Sequence, residues 1–268
     1  MSLPPPALLL SAATSATTIK TAPLSSPFPP SKWSQTTSST DIPQTLRRRL
    51  GRRRHGCCGW KQKKGLSVFA FLLGSAVLSL EVIEPVIRRS AGKPKGKLSK
   101  GDLRQVDNMV LTSKGIKDIA AIADLQGLTS LSLNDNDLSD LKPLAGLSKL
   151  EVLLLQGNQI SNLKPLTGLV NLTQLNLSRN RVTALTALTG MEKLERLNLI
   201  NNQISNLRPL AKLKSLEWLG LNFNQITNLK PLHGLKNLHT LLLTGNPDLD
   251  DDEVEELEEI LPNCQIEY

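Results

Sequence analysis

Aliphatic residues in the second half of the chain recur in one fixed phrase, with polar positions spaced just as regularly between them. Leu128, Leu150, Leu172, Leu194, Leu216 and Leu238 stand 22 residues apart, and each opens L-x-x-L-x-L-x-x-N-x-[IVL]-x-x-L-x-x-L. Within L-x-x-L-x-L the alternation of Leu175, Asn176 and Leu177 puts leucines on one side of an extended segment, which predicts a short strand. The Asn that follows, at 136, 158, 180, 202, 224 and 246, falls where the chain leaves the strand and turns. Its amide can satisfy backbone groups that burial would leave unpaired, so a stacked Asn ladder is a structural device. The return segment, such as Leu163 to Leu169, has leucines three apart and suits a short 3-10 turn. Pro143, Pro165, Pro209 and Pro231 recur at the start of that turn, where no amide donor is needed.

A coil this short cannot enclose a core alone, so it buries its leucines against its neighbours and the stack becomes a solenoid. A weaker copy, Val106, Met109, Leu111, Ile116, Ile119, Ile122 and Leu125, keeps the same offsets with Lys114 where Asn is expected. Residues 97 to 127 therefore read as the N-terminal cap and first of seven coils. At the other end Asp250 to Leu261 reads as a capping helix with Val254, Leu257, Ile260 and Leu261 on one side. Asp251, Asp252 and Glu253 complement its positive end, and Pro262-Asn263 stops it before Cys264 and Ile266. At about 4.8 Å per strand the concave sheet spans roughly 30 Å, enough for a small domain or a long helix.

With the coils written out, residues 99 to 247 resemble the 22-residue internalin-like, or protein phosphatase-one regulator-like, class of leucine-rich repeats. The phrases "NQISNLKPLTGL" and "NQISNLRPLAKL" carry the resemblance. "LPNCQIEY" resembles a common closing cap. The resemblance implies an α/β right-handed solenoid of short parallel strands and 3-10 turns, and a non-catalytic interaction scaffold.

Charge divides the chain. Residues 1 to 101 hold 17 Lys and Arg against 3 acids, and residues 102 to 268 hold 15 against 21, so the halves carry +14 and −6. Most of the negative sign belongs to the end helix, and the array offers a weak case for nucleic acid. Residues 1 to 60 are rich in Ser, Thr, Ala and Pro, poor in acids, and end in the run Arg47 to Arg54. Such a leader builds no core and resembles a chloroplast transit peptide, with processing near Cys57 or Cys58. A mitochondrial leader and an ordinary disordered tail of a cytoplasmic protein stay open. Residues 61 to 89 contain Leu66 to Leu80, fifteen residues without charge, short of the ~20 that cross a bilayer. Continuing to Ile87 reaches that length but takes in Glu81 and Glu84. A single membrane segment through residues 66–87 is expected, and a buried or partner-bound helix and a cleaved signal stay open. Residues 90 to 101, dense in Lys and Gly, then read as a flexible basic linker able to lie on anionic lipid, followed by the array over 102–247 and the cap over 248–268.

Chemistry is sparse. Three cysteines without a C-x-x-C pair indicate neither a zinc site nor a disulfide framework, the acids near Asp250 lack the spacing of a calcium loop, and no phosphate loop or serine elbow is present. No catalytic residue, cofactor, metal or small-molecule substrate is expected. A protein partner is, on the concave face. Residues 22 apart form stripes there: Ser130, Val152, Gln174, Arg196, Trp218, Thr240; then Ser132 to Leu242; then Asn134 to Thr244; then an exit stripe of Asp135, Gly157, Arg179, Asn201, Phe223 and Gly245. Aromatic residues make up 3% of the chain, and the array holds only Trp218 and Phe223, so the expected contact cluster is Arg179, Arg196, Asn198, Ile200, Trp218, Asn222 and Phe223. Trp218 and Phe223 are expected to be exposed, with a shallow dent at Gly220; the other reading is that Phe223 tucks into the turn and Trp218 shields the sheet. The alternative function is a soluble regulatory subunit of an enzyme such as a protein phosphatase.

Overall fold

A computed structural model describes residues 74–268, with side chains described from Ser79 onward. The leader and the first part of the apolar run lie outside the described residues. From Asn108 the chain winds through seven coils. Their strands are β1 (Asn108–Val110), β2 (Ser130–Ser132), β3 (Val152–Leu154), β4 (Gln174–Asn176), β5 (Arg196–Asn198), β6 (Trp218–Gly220) and β7 (Thr240–Leu242). They pair in parallel, in sequence order, with register partners 22 residues apart, so Arg196 lies beside Trp218 and Asn198 beside Gly220. A 3-10 turn closes each of the first six coils opposite its strand, four of them with Pro in the first turn, and a helix closes the seventh. The repeated leucines and isoleucines are buried in one continuous core.

The Asn ladder binds each coil to the one before it. Asn202 is typical: its Oδ1 accepts from the Val182 amide at 2.9 Å, and its Nδ2 donates to the Leu177 and Leu199 carbonyls at 3.0 Å. Each ladder Asn thus serves the preceding coil. Lys114 has no preceding coil to serve, and its own amide donates to Asn136 Oδ1 at 3.0 Å, so the departure from Asn there costs nothing.

The first coil is covered by α1 (Gly74–Ser90). Ile83 and Ile87, one turn apart, are buried in the core beside half-buried Val82 and Val86. Ser79 Oγ accepts from the Lys117 and Asp118 amides, both at 3.3 Å. The N-terminal cap therefore begins well before residue 97. Extending the apolar run through Ile87 into a membrane span is not how the described part is used, because the helix is amphipathic there: Glu81, Glu84, Arg88 and Arg89 occupy its other side. Among the described residues no helix is long and apolar enough to cross a membrane.

The expected flexible linker is folded. Arg88 pairs with Glu84 at 2.8 Å and donates to the Gly96 carbonyl at 2.9 Å, and Lys93 pairs with Asp102 at 2.7 Å. Ser99 and Asp102 form a reciprocal cap at the start of α2 (Lys100–Arg104), while Ala91, Leu98 and Leu103 pack against the core. Hydrogen bonds from Lys93, Ser99 and its backbone hold the Asp102 carboxyl down at about 2.

At the far end α3 (Asp251–Ile260) is capped by Asp250 and buries Val254 and Leu257. Glu253 accepts from the Leu229 amide at 2.9 Å, and Lys236 donates to the Ile260 carbonyl at 3.0 Å, which ties the helix to the last coil. An eighth strand that sequence reading missed, β8 (Gln265–Glu267), then pairs in parallel with β7.

Candidate partner-binding site

The strand side chains that point away from the leucine core form the stripes read from the sequence, since the pairing register is the repeat itself. What each position displays differs from expectation. Trp218 is only 8% exposed. Gly220 permits this: a Cβ there would stand 2.6 Å from the Trp218 ring and 3.0 Å from Ile200, so the indole lies across the glycine and fills the expected dent. Both Trp218 and its neighbour Arg196 hold further interactions within the protein. Asn198 is 3% exposed, and its Oδ1 accepts from the Ile200 amide at 3.0 Å, so it shapes the strand exit and offers little to a guest. Asn176 does the same one coil earlier, accepting from the Ser178 amide and hydroxyl at 3.0 and 2.8 Å.

The expected cluster therefore divides. Trp218 and Asn198 belong to the scaffold; Arg196, Ile200 and Asn222 are half-buried; Arg179 and Phe223 are displayed. Asn222 Oδ1 is buried with no hydrogen-bond partner among the described residues. Phe223 is 58% exposed, and its ring leans over Gly245 of the next coil.

Sequence reading named the exit stripe but missed its conformation. Asp135, Arg179, Asn201 and Phe223 have φ of 54, 56, 58 and 57°, and Gly157 and Gly245 have 66 and 77°. Each of the last six coils thus takes one left-handed residue just before its ladder Asn, and the first coil takes Ser113, φ 55°, just before Lys114, a conformation that excludes most side chains by crowding at Cβ. Gly157, Gly245, Asp135 and Asn201, all residue types that tolerate it, were the available signal. The left-handed turn aims each exit side chain outward from the rim of the sheet. Arg179, Asn201 and Phe223 form an exposed row there on three successive coils.

Among the described residues no three His, Cys, Asp or Glu side chains gather as a metal would require. The Cys264 thiol is pushed up to about 11 by burial, which leaves it a poor nucleophile at neutral pH.

Two family models match the chain: one described as two copies of leucine-rich repeats, over residues 148–190, and one described as a leucine-rich repeat, over residues 170–226. No curated protein sequence matches. Among solved structures, internalin C2 of Listeria monocytogenes is 31% identical with a TM-score of 0.64, covering 69% of this chain and 81% of that one. Another internalin of the same bacterium, inlF, is 23% identical with a TM-score of 0.57, covering 71% of this chain and 64% of that one, and shares the fold. Strand register, Asn ladder, 3-10 turns and this likeness agree: the chain belongs to the leucine-rich-repeat family, in its internalin-like class.

Proposed function

We propose that this chain is a non-catalytic scaffold that seats a protein partner across its concave face and exit rim, and that its N-terminal third delivers it to a plastid and holds it at a membrane. Leucine-rich-repeat proteins are protein-interaction scaffolds, and internalin-like members are typically non-catalytic. The observation that carries the binding reading is Phe223, a large aromatic 58% exposed in one row with exposed Asn201 on the preceding coil and exposed Arg179 on the coil before that, on a molecule whose other apolar repeat positions are almost all consumed by the core. Aromatic residues and arginine are enriched at interface centres. Delivery to a plastid is supported by the Ser- and Thr-rich, acid-poor leader, and anchoring by the uncharged run Leu66 to Leu80.

Quantitative affinity capture tests the binding reading. A partner held by the wild-type chain should be lost with Arg179→Ala and Phe223→Ala together, and kept with Lys212→Ala, an exposed change on a return segment away from the strands. Equal retention by the double variant refutes the rim as the contact. For delivery, the first 60 residues fused to a reporter should enter isolated chloroplasts, and import into mitochondria instead would replace the plastid with the other organelle.

A further inference from the structure

The folded N-terminal cap carries a charge that the concave-face reading does not use. From Arg88 to Arg104 the only acid is Asp102, and Lys93 occupies it; Arg88 is likewise held by Glu84 of α1. Arg89, Lys95, Lys97, Lys100 and Arg104 remain, all exposed and with no ion pair described. Of the acids on α1 only exposed Glu81 subtracts from them, and on the first coil Lys114 and Lys117 stand against Asp107, Asp118 and Asp124, which leaves one further acid to subtract. Because the segment is stapled by the Arg88, Lys93 and Ser99 contacts, these charges are presented on a fixed surface with no tether to order on binding.

We infer that this basic cap is a docking surface for anionic lipid headgroups, on which the solenoid stands end-on. Three observations select lipid. Residues 74–104 contain no Phe, Trp or Tyr on which a base could stack, so the surface lacks what a single-stranded nucleic-acid site uses. The fifteen uncharged residues Leu66 to Leu80 directly precede this cap in the sequence, and their last member, Leu80, is 45% exposed, so an apolar stretch and a basic stretch follow one another along the chain as they do beside a membrane. The opposite end is acidic, with Glu255, Glu256, Glu258 and Glu259 exposed on α3. Seven strand spacings of about 4.8 Å put roughly 34 Å between the ends, several times the ~8 Å screening length, so the two charges do not neutralise one another within a molecule. They act instead as a dipole that turns the basic end toward a negative surface and the acidic end away. The strands then stack away from the lipid, and the concave rim stays clear for a partner.

This deepens the proposed anchoring, and vesicle co-flotation of the full chain separates the two. Binding to pure phosphatidylcholine reports insertion of the apolar run. The added binding when phosphatidylglycerol is included reports the cap. Lys95, Lys97 and Lys100 changed together to Gln should lower the phosphatidylglycerol-dependent partition by roughly a hundredfold, from about 1 kcal/mol per basic residue near the surface, and leave circular dichroism unchanged. The same component should vanish in high salt. The inference is overturned if phosphatidylglycerol adds no binding. It is also overturned if the triple variant binds like wild type while Arg52, Arg53 and Arg54 changed to Gln abolishes the response, since the leader would then hold the lipid.

Discussion

Changing Asn202 to alanine removes one rung of the ladder from the middle of the solenoid, where no solvent can replace it. The side chain is buried, and the change strands the Val182 amide and takes away donors to the Leu177 and Leu199 carbonyls. An unpaired buried donor costs about 1–3 kcal/mol, and each lost hydrogen bond to a carbonyl that keeps another partner costs less, on the order of 0.5–1 kcal/mol. The total is about 3 kcal/mol, which for a domain of this size lowers Tm by roughly 6–12 °C. Urea denaturation followed by circular dichroism measures the loss. Because each coil touches only its neighbours, the damage should also be local: the coils on either side of Asn202 should separate as two weaker blocks, with a lower m value and faster amide exchange at Val182. A loss below about 0.5 kcal/mol, with Val182 still protected, would show that the leucine interior alone sets the stacking and that the ladder is incidental.

Three further outcomes follow from the geometry. Gly220→Val should drive the Trp218 ring off its seat, cost about 1–3 kcal/mol from overpacking, and red-shift Trp218 emission in a background where Trp33 and Trp60 are Phe; unshifted emission would mean the ring does not rest there. Arg179→Gly should hold or raise stability by up to about 1 kcal/mol, because it relieves a left-handed residue, whereas Arg181→Gly, also exposed and only two residues on, should lower it by about the same amount in urea titrations. The Asp102 carboxyl should titrate at about 2 by NMR, and Lys93→Gln should raise it toward the usual 3.8. Since the folded value lies below the unfolded one, whatever Asp102 gives the cap is present above about pH 4 and is lost as pH falls from there toward 2.

The array was legible because its period fixes nearly everything at once. The leucines name the inner face, the Asn names the turn, and spacing by threes names the 3-10 segment. Features outside the period were harder to read. Gln265-Ile266-Glu267 is too short to show alternation, and it becomes a strand because β7 presents an open edge, where the His239 carbonyl accepts from the Gln265 amide at 2.8 Å. The apolar helix was weighed by its uncharged length, but the residues that place its described part are Ile83 and Ile87, which lie beyond that run among carboxylates. On the concave face the stripes were right and the exposures were not. Register fixes which face a side chain leaves from, but not whether it stands up or lies down. Trp218 lies down because Gly220, two residues on, has no Cβ to prevent it, and Asn198 turns back because the Ile200 amide is within reach.

The left-handed exit residue gives these differences a direction. In each coil after the first it precedes the ladder Asn, whose bonds to its own and the preceding coil pin the backbone in place, so the exit side chain leaves along a fixed vector whatever its type. Asp135, Gly157, Arg179, Asn201, Phe223 and Gly245 can therefore differ completely while the residue after each is always Asn. Chemistry at the rim varies without disturbing the leucine interior. A side chain held in this way loses less freedom on binding than one on a mobile loop, so under the proposed partner-binding role Phe223 would contribute more of its contact area as affinity. The backbone strain at the rim, on the order of 1 kcal/mol at each residue other than glycine, is offset by the ladder and leaves a pre-oriented row of exposed side chains.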